Sequence, residues 1–415
     1  MESPSLKACT ISPIYSPLGI ALGVNQSSPE YYELLNKLAD HNDFSSGIHK
    51  AHQQQDYNNI TADARDNRLM LWQDPTKPEL KIHVFANNIA VVEYELKLDQ
   101  NLSALQLANE CQVKTTQAIA DIYPSFIASF TESVAKLNSN RVTLTKQHVD
   151  KPKIYWTTQT LLFARHEVQH KAHQALIKNW LKYTDCPDDA DKIISGTQSY
   201  SLTWLNYVVI DEPLAPDDEH QPTGYAPYLE TMILAQYFYT AQENCNTILK
   251  QAIDGAYNSK KLNEVSKNLA KSRVLARLHQ VDYNEHLKYL KRFKRKLLAK
   301  ILSGWDFENL IENGQRMIEI CSSRLQEEDN KRRERSTVMT DLLLVTLSFF
   351  TVFELSLYLT EFSREMMSRP ALDYNDETPS FFLKFIAEVD ADFMFGFGFL
   401  LTFLLIVLYK FIKAK

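Results

Sequence analysis

Two long apolar segments near the end of the chain constrain its fold more than any other feature. Residues 342–359 read LLLVTLSFFTVFELSLYL, with Glu354 as the single ionisable side chain, and residues 393–412 read FMFGFGFLLTFLLIVLYKFI, with Lys410 near the end. At 1.5 Å per residue, such segments form helices of about 27–30 Å, enough to cross a hydrocarbon core of about 30 Å. Helices that are apolar on all sides are hard to bury in a soluble domain. We therefore predict two transmembrane helices, and the alternative is a pair of buried core helices.

Charged residues beside these segments predict their orientation. The basic run KRRER (331–335) precedes the first segment, and Lys410, Lys413 and Lys415 lie at the end of the second and after it. Residues 361–392, between the segments, contain three basic and eight acidic residues. Because basic residues collect on the cytoplasmic side of a bilayer, we expect a multi-pass protein of the cell inner membrane with both termini in the cytoplasm. The first residues show no signal-peptide pattern.

The rest of the chain predicts a cytosolic α+β body. Only 10 of the 415 residues are glycine, far below the usual share of about 7%, which disfavours β-propellers and glycine-rich nucleotide-binding folds. A net charge of −6 argues against nucleic acid as a partner, and five cysteines without a CxxC pair indicate neither a disulfide framework nor a zinc ribbon. The alternation in VVEYELKL (91–98), after Asn87-Asn88, predicts a hairpin with one wet face. Further strands are predicted at 153–163, 198–202 and 204–210, and helices at 103–122, 125–137, 167–183, 229–253, 260–302 and from Phe307 onward.

An acidic, proline-rich loop at 211–222 is the predicted domain boundary. The sequence divides into a cytosolic domain (1–222), a helical stalk (223–336) and a two-helix transmembrane domain (337–415). The helix from Phe307 contains no proline until beyond the first span, so we expect it to run unbroken from the cytosol into the membrane. The predicted fold class is an α+β cytosolic domain with a long helical stalk and two C-terminal transmembrane helices.

A polar stripe on the first span is the main candidate for function. The predicted pore-lining residues are Thr337, Asp341, Leu344, Ser348, Thr351, Glu354 and Tyr358. Steps of three and four residues place this set on one side of a helix, with Glu354 one step beside the others. An acidic side chain costs about 2.5–3.5 kcal/mol at the membrane centre, so it usually faces a pore or a bundle interior. We interpret the stripe as the lining of a water-filled path, and the alternative is packing between helices with Glu354 reaching the outer water.

The run HEVQH, which begins at His166, matches the HExxH pattern of zinc peptidases. On a helix, His166 and His170 would share one side and bind zinc, with Glu167 as general base. However, Arg165 and Lys171 flank the histidines and no third-ligand motif follows. A solvated helix start is therefore the favoured interpretation and we expect no enzyme, while a membrane-anchored zinc metallopeptidase stays an alternative.

Two charged clusters are candidate ligand sites. The segment KYLKRFKRKLLAK (288–300) has seven basic residues and an apolar face, which suits a messenger, lipid head groups or RNA. The predicted contacts for an anionic ligand are Lys291, Arg292, Lys294 and Arg295. Carboxylates at 188–191 and 211–219 are candidate ligands for Mg²⁺ or Ca²⁺ between subunits. The alternatives are a solvated helix face and solvated loops.

The order of these parts resembles the CorA-type divalent-cation channels. Those proteins also have a cytosolic α/β domain, a helical stalk whose last helix becomes the first span, and a second span followed by a lysine-rich tail. The order of the parts is similar over most of the chain, and the local sequence pattern is similar from about residue 306. The family's Gly-Met-Asn motif is absent, and YLTEF (358–362) stands at its place. The resemblance implies the fold, a homopentamer and a divalent cation as the ion, but no magnesium selectivity.

Some CorA-like proteins lie beside type III CRISPR loci and act as membrane effectors opened by a nucleotide messenger. The resemblance therefore also implies a nucleotide second messenger as a partner, and a role in antiviral defence beside housekeeping transport. We expect a homo-oligomeric membrane ion channel gated by its cytosolic domain, with the gate at Leu344 or at Asp341. A non-conducting, membrane-anchored sensor is the remaining alternative.

Overall fold

A computed structural model of the chain contains two structural units, Met1–Ser323 (unit 1) and Arg324–Lys415 (unit 2). The structure describes residues 5–20, 44–45, 68–74, 76–85, 87–137, 142–144, 150–211, 224–258, 262–368, 381, 385, 393, 396–404 and 407. Its strands are β1 (Ser5–Ile20), β2 (Phe44–Ser45), β3 (Arg68–Gln73), β4 (Leu80–Phe85), β5 (Asn87–Asp99), β6 (Val142–Leu144), β7 (Thr158–Ala164), β8 (Tyr200–Leu202) and β9 (Asn206–Asp211). Its longer helices are α1 (Ala104–Leu137), α2 (Lys171–Leu181), α3 (Asp189–Ser195), α4 (Ala226–Asn258), α5 (Leu262–Tyr289), α6 (Arg292–Gly304) and α7 (Phe307–Ser368). The predicted α+β class is confirmed.

One mixed sheet of nine strands organises the described part of unit 1. Its order is β2-β3-β4-β5-β1-β7-β9-β8, with β6 beside β1. Strands β7 and β9 are parallel, and the other neighbours are antiparallel. The predicted hairpin is confirmed, because β4 pairs with β5 directly across the turn and Asn88 adopts a positive φ of 58°, which asparagine tolerates better than most residues.

Helices cover both faces of this sheet. On one face, α1, α2 and α3 share a core with β1, β5, β7 and β9. This core includes Leu6, Leu98, Leu107, Phe163, Ile177, Trp180, Ile193 and Ile210. On the other face, α4 and α6 pack on the same strands, and the ring of Tyr237 stacks on Phe85 with 4.0 Å between centroids. The segments on either side of the predicted boundary at residue 222 therefore share one core.

The predicted wet face of the hairpin is only partly correct. Glu95 and Lys97 are exposed, but Glu93 is buried, because α4 packs on β5 as well as on its neighbours. The buried carboxylate has partners: Glu93 Oε2 lies 3.0 Å from Nε2 of the buried His83, and its other oxygen lies 3.9 Å from Lys81 Nζ. A buried charge needs such partners.

Helix α1 begins as predicted but does not stop at Pro124. Gln106 and Ser103 form a capping box, in which the Gln106 backbone N–H donates to Ser103 Oγ at 3.4 Å and Gln106 Oε1 accepts from the Ser103 backbone at 2.9 Å. Two helices were expected because proline removes a helical hydrogen bond. The structure has one helix with Pro124 inside, and the fully buried rings of Tyr123 and Phe126 beside it show that tertiary packing outweighs the lost bond.

Helix α4 approaches the first part of α7 very closely at Gly314. A Cβ at this position would lie 2.6 Å from Gln242 Nε2 and 2.7 Å from Asn246 Oδ1. Both amides are buried. Gln242 Nε2 donates to Asn246 Oδ1, and Asn246 Nδ2 donates to the backbone carbonyl of Leu310, each at 2.9 Å. The absence of a side chain at Gly314 thus lets α4 form a hydrogen bond to the backbone of α7.

We expect Gly314→Ala to lower the free energy of unfolding of unit 1 by about 2 kcal/mol, because a displaced amide leaves buried polar atoms unpaired. Gly255 in α4 is a matched control, since a Cβ there would meet nothing within 4 Å. Gly255→Ala should raise the same free energy by about 0.5–1 kcal/mol through better helix propensity. Urea unfolding followed by tryptophan fluorescence measures both, because all five tryptophans precede Ser323. A stabilising Gly314→Ala would contradict the close approach.

Candidate membrane-spanning site

Helix α7 is long and apolar enough to cross a membrane. Its most apolar stretch has a mean hydropathy of 2.0, and none of that stretch is buried inside the chain. Large apolar side chains such as Leu343, Leu347 and Phe350 are more than half exposed. Length and composition thus support one membrane-spanning helix among the described residues, consistent with membrane association.

The second predicted span is described only in part. Residues 396–404 are helical and pack against α7. The rings of Phe349 and Phe399 meet edge to face with 5.9 Å between centroids, and a Cβ at Gly398 would lie 3.8 Å from both Ser356 Oγ and Val352 Cγ1. This contact uses one side of α7. The rest of the predicted span 393–412 lies mostly outside the described residues, so the span stays a prediction.

The predicted pore-lining residues lie on a different side of α7. At about 100° per residue, the stripe is centred roughly a third of a turn from the side that contacts residues 396–404. Leu344 and Tyr358 are 57% and 66% exposed. Thr337, Ser348, Thr351 and Glu354 are exposed as well, and Asp341 is half-buried. The structure therefore brings the set together on one side, with Glu354 about 60° from Thr351 around the helix.

The hydroxyl groups of the stripe are oriented as acceptors. Thr337 Oγ1 donates its proton to the backbone carbonyl of Arg333 at 2.9 Å, and Thr351 Oγ1 donates to the carbonyls of Leu347 and Ser348, each at 3.0 Å. A hydroxyl has one donor and two lone pairs. Because the proton is used within the helix, the oxygen offers only lone pairs outward, which suits cations and water hydrogens.

The basic segment is not the single helix predicted for 260–302. Helix α5 ends at Tyr289 and α6 begins at Arg292, because Lys291 has an extended backbone, with φ −54° and ψ 150°. The turn lets α6 bury its apolar side, including Leu297 and Ile301, as the amphipathic pattern predicted. Of the predicted anion contacts, Lys294 is already paired with Glu230, with 2.6 Å between Nζ and Oε2. Lys291, Arg292 and Arg295 are exposed at the start of α6.

The HEVQH run does not have the helical geometry of a zinc peptidase. Glu167 begins a short 3₁₀ helix, Glu167–Gln169, and the extended residue His170, with φ −75° and ψ 129°, separates it from α2. The two histidines therefore do not share the side of one α-helix. The Glu167 carboxylate accepts a hydrogen bond from the backbone N–H of Ala164 at 2.7 Å. Within the described ranges, no group of three His, Cys, Asp or Glu side chains is placed to hold a metal ion.

The acidic cluster at 188–191 is tied into the local structure. Asp189 accepts hydrogen bonds from Lys192 Nζ and Ser201 Oγ, each at 3.0 Å. Burial alone would raise the pKa of Asp189, but these hydrogen bonds, with one from Gln198, lower it overall. Asp191 pairs with Lys178 at 2.8 Å. In the second acidic stretch the carboxylates at 212 and 217–219 lie outside the described residues.

An aromatic cluster at the start of α7 was not predicted from the sequence. The rings of Trp204, Tyr239 and Trp305 meet edge to face, with 5.3–5.7 Å between centroids, and Trp305 Nε1 donates to the carbonyl of Thr203 at 3.1 Å. The only sequence signal is the high aromatic content of 237–239 and an isolated tryptophan between two predicted helices. The cluster joins the β8–β9 loop, α4 and the α6–α7 turn.

Comparison with known proteins identifies no family for the chain. No family model, no curated protein and no solved structure matches it.

Proposed function

We propose that the chain forms a homo-oligomeric, CorA-like ion channel of the inner membrane, with α7 lining the ion path and unit 1 controlling its opening. The observation that carries this proposal is the position of the polar stripe. Ser348 and Thr351 lie in the apolar part of α7, exposed, on a side that the chain's own residues 396–404 do not contact. The lone pairs of these hydroxyl oxygens stay unmatched in hydrocarbon, which favours a partner or water on this side.

In an assembly of several copies around an axis, both the polar side and the apolar side of α7 meet a suitable environment. The stripe faces the axis. Leu343, Leu347 and Phe350 lie on the side that Glu354 also occupies, and they pack against adjacent copies. A ring of Leu344 side chains narrows the path and closes it by dewetting, with Asp341 just below. The pentamer, the second span and the cytoplasmic termini rest on the sequence and on the CorA resemblance.

The stripe favours cations. Acceptor oxygens of Thr337 and Thr351 replace part of the hydration shell of an ion, and Glu354 adds one carboxylate per copy near the outer end of the span. The acidic residues predicted in the outer loop at 361–392 would raise the local cation concentration. No covalent chemistry is needed, so the proposal includes no catalytic residue.

Ion flux into proteoliposomes tests the proposal. We expect the double variant Thr351→Leu/Glu354→Ala to reduce cation flux by about tenfold or more, which corresponds to losing about 1.4 kcal/mol of ion stabilisation. The matched control is Thr346→Leu/Glu319→Ala, in which Glu319 is an exposed carboxylate of α7 outside the proposed path. Thr346 has the same i−4 hydrogen bond, to the Leu342 carbonyl at 2.8 Å, but lies about 140° around the helix from Thr351.

The comparison between the two double variants is decisive. Equal flux through the wild type and the stripe variant would show that α7 does not line the path. No flux above protein-free liposomes, with or without candidate messengers, would favour the non-conducting sensor. The gating ligand is proposed to be an anionic nucleotide messenger at Lys291, Arg292, Lys294 and Arg295, with opening as a step in antiviral defence.

A further inference from the structure

A run of basic side chains, here named the collar, lies on α7 just before its apolar part. Lys331, Arg332, Arg333 and Arg335 fall within five consecutive residues, with Glu334 as the single acidic member. All five side chains are exposed, and the backbone is helical throughout. The collar therefore presents a net charge of about +3 within roughly 7 Å of helix length.

The arrangement of the collar around the helix restricts what it can bind. At about 100° per residue, Lys331, Arg332 and Arg333 point in three well-separated directions, and Arg335 lies between the first two. A single protein partner or a small ligand contacts one side of a helix. The four basic side chains span about 200° of the circumference, with Glu334 in the remaining arc, and a spread this wide instead suits a medium around the helix.

The position along the helix identifies that medium. Arg335 precedes the apolar run at residue 342 by seven positions, or about 10 Å. The head-group layer of a bilayer is about 5–7 Å deep on each side, and long basic side chains extend toward it. The same distance grows to about 16 Å at Lys331, so Arg335 and then Arg333 are the members best placed to reach lipid phosphates while the backbone stays in water.

We propose that the collar binds the head groups of anionic lipids in the cytoplasmic leaflet. The proposal rests on the membrane insertion of α7 included in the proposed function. Arginine forms paired hydrogen bonds with phosphate oxygens. Each basic residue attracts the one anionic lipid that it contacts by about 1 kcal/mol, which corresponds to about a fivefold preference for that lipid. The group that the collar recognises is a phosphate, which lipids and free phosphate have in common, and we assign it to the lipid.

Spin-labelled lipids test this in the full chain reconstituted in phosphatidylcholine vesicles. Electron spin resonance separates lipids held at the protein from free lipids, whether or not ions flow. We expect phosphatidylglycerol to be preferred over phosphatidylcholine by roughly fivefold. The variant Lys331→Gln/Arg332→Gln/Arg333→Gln/Arg335→Gln should abolish this preference but keep the held phosphatidylcholine.

A matched control removes equal charge elsewhere. The variant Lys151→Gln/Lys250→Gln/Lys271→Gln/Arg277→Gln changes four exposed basic residues of unit 1 that lie outside the proposed anion site, and it should keep the preference. If it removes the preference and the collar variant does not, the collar is not the site. Should the collar variant fail to reconstitute, Arg333→Gln/Arg335→Gln should give about half the wild-type preference, and an unchanged value would overturn the proposal.

Three further outcomes distinguish lipid binding by the collar from a general phosphate site and from the proposed channel. Inorganic phosphate that removes the preference more strongly than chloride at equal ionic strength would indicate a general phosphate site and overturn the lipid assignment. Held lipid with a phosphatidylglycerol preference but no ion flux would support the collar and contradict the channel. The absence of any held lipid would contradict membrane insertion itself, and the collar with it.

Discussion

Trp305→Ala is expected to lower the free energy of unfolding of unit 1 by about 3–5 kcal/mol, the usual cost of removing a buried aromatic side chain. Trp305 is 5% exposed and contacts the rings of Trp204 and Tyr239 at 5.6 and 5.7 Å between centroids. Alanine would leave a cavity between them. It would also leave the carbonyl of Thr203 without the indole donor that now lies at 3.1 Å.

Two variants separate the ring from its hydrogen bond. Trp305→Phe keeps most of the packing and should cost about 1–2 kcal/mol, mainly for the lost donor. Both variants retain four tryptophans in unit 1, so urea unfolding followed by fluorescence remains usable. Equal costs for the two variants would show that the hydrogen bond, rather than the ring, holds the cluster. A cost below 1 kcal/mol for alanine would contradict the cluster.

The position of this cluster bears on the proposed gating. Trp305 lies two residues before α7 begins, and Asp306 between them has a positive φ of 56°, which is uncommon outside glycine. A few residues further on, Asn246 of α4 donates a hydrogen bond to the backbone carbonyl of Leu310. Within unit 1, the first turns of α7 are thus fixed to the sheet and to α4. A ligand that moved α4 would act on the start of the proposed pore helix through these contacts.

Local sequence rules predicted the elements whose determinants are themselves local. The β4–β5 hairpin follows from alternation and from Asn88 at the turn. The start of α1 follows from the capping pair Ser103 and Gln106. The side of α7 that carries the stripe follows from helical periodicity alone, because α7 is one continuous helix from Phe307 to Ser368.

The features that were missed depend on contacts between distant residues. The sequence predicts that Glu93 is exposed, but α4 covers the face of the sheet on which it lies. The sequence also predicts that a helix ends at Pro124, but the packing of the neighbouring rings keeps the helix continuous. The break at Lys291 has no glycine or proline to mark it, and it exists because α6 gains burial by turning. The periodicity of a segment cannot show how much burial it gains, because that burial depends on distant segments that pack against it.

Acidification should destabilise unit 1 through His279. This side chain is 2% exposed, and burial lowers its pKa from 6.5 to about 4. The unfolded chain therefore binds more protons than the folded chain between these values, so the free energy of unfolding falls as the pH drops through about 6.5 and levels off below about 4. The full difference is about 3 kcal/mol, at about 1.4 kcal/mol per pKa unit.

The variant His279→Phe isolates this contribution. Phenylalanine fits an aromatic environment in which His279 has the rings of Tyr237 and Phe238 at 6.2 Å between centroids, and it carries no titrating nitrogen. The wild type should lose about 3 kcal/mol more than the variant between pH 7 and pH 4 in urea unfolding followed by tryptophan fluorescence. Other groups titrate in this range, so the difference between the two curves is the relevant quantity. A wild-type curve parallel to that of the variant would show that His279 does not cause the loss of stability on acidification.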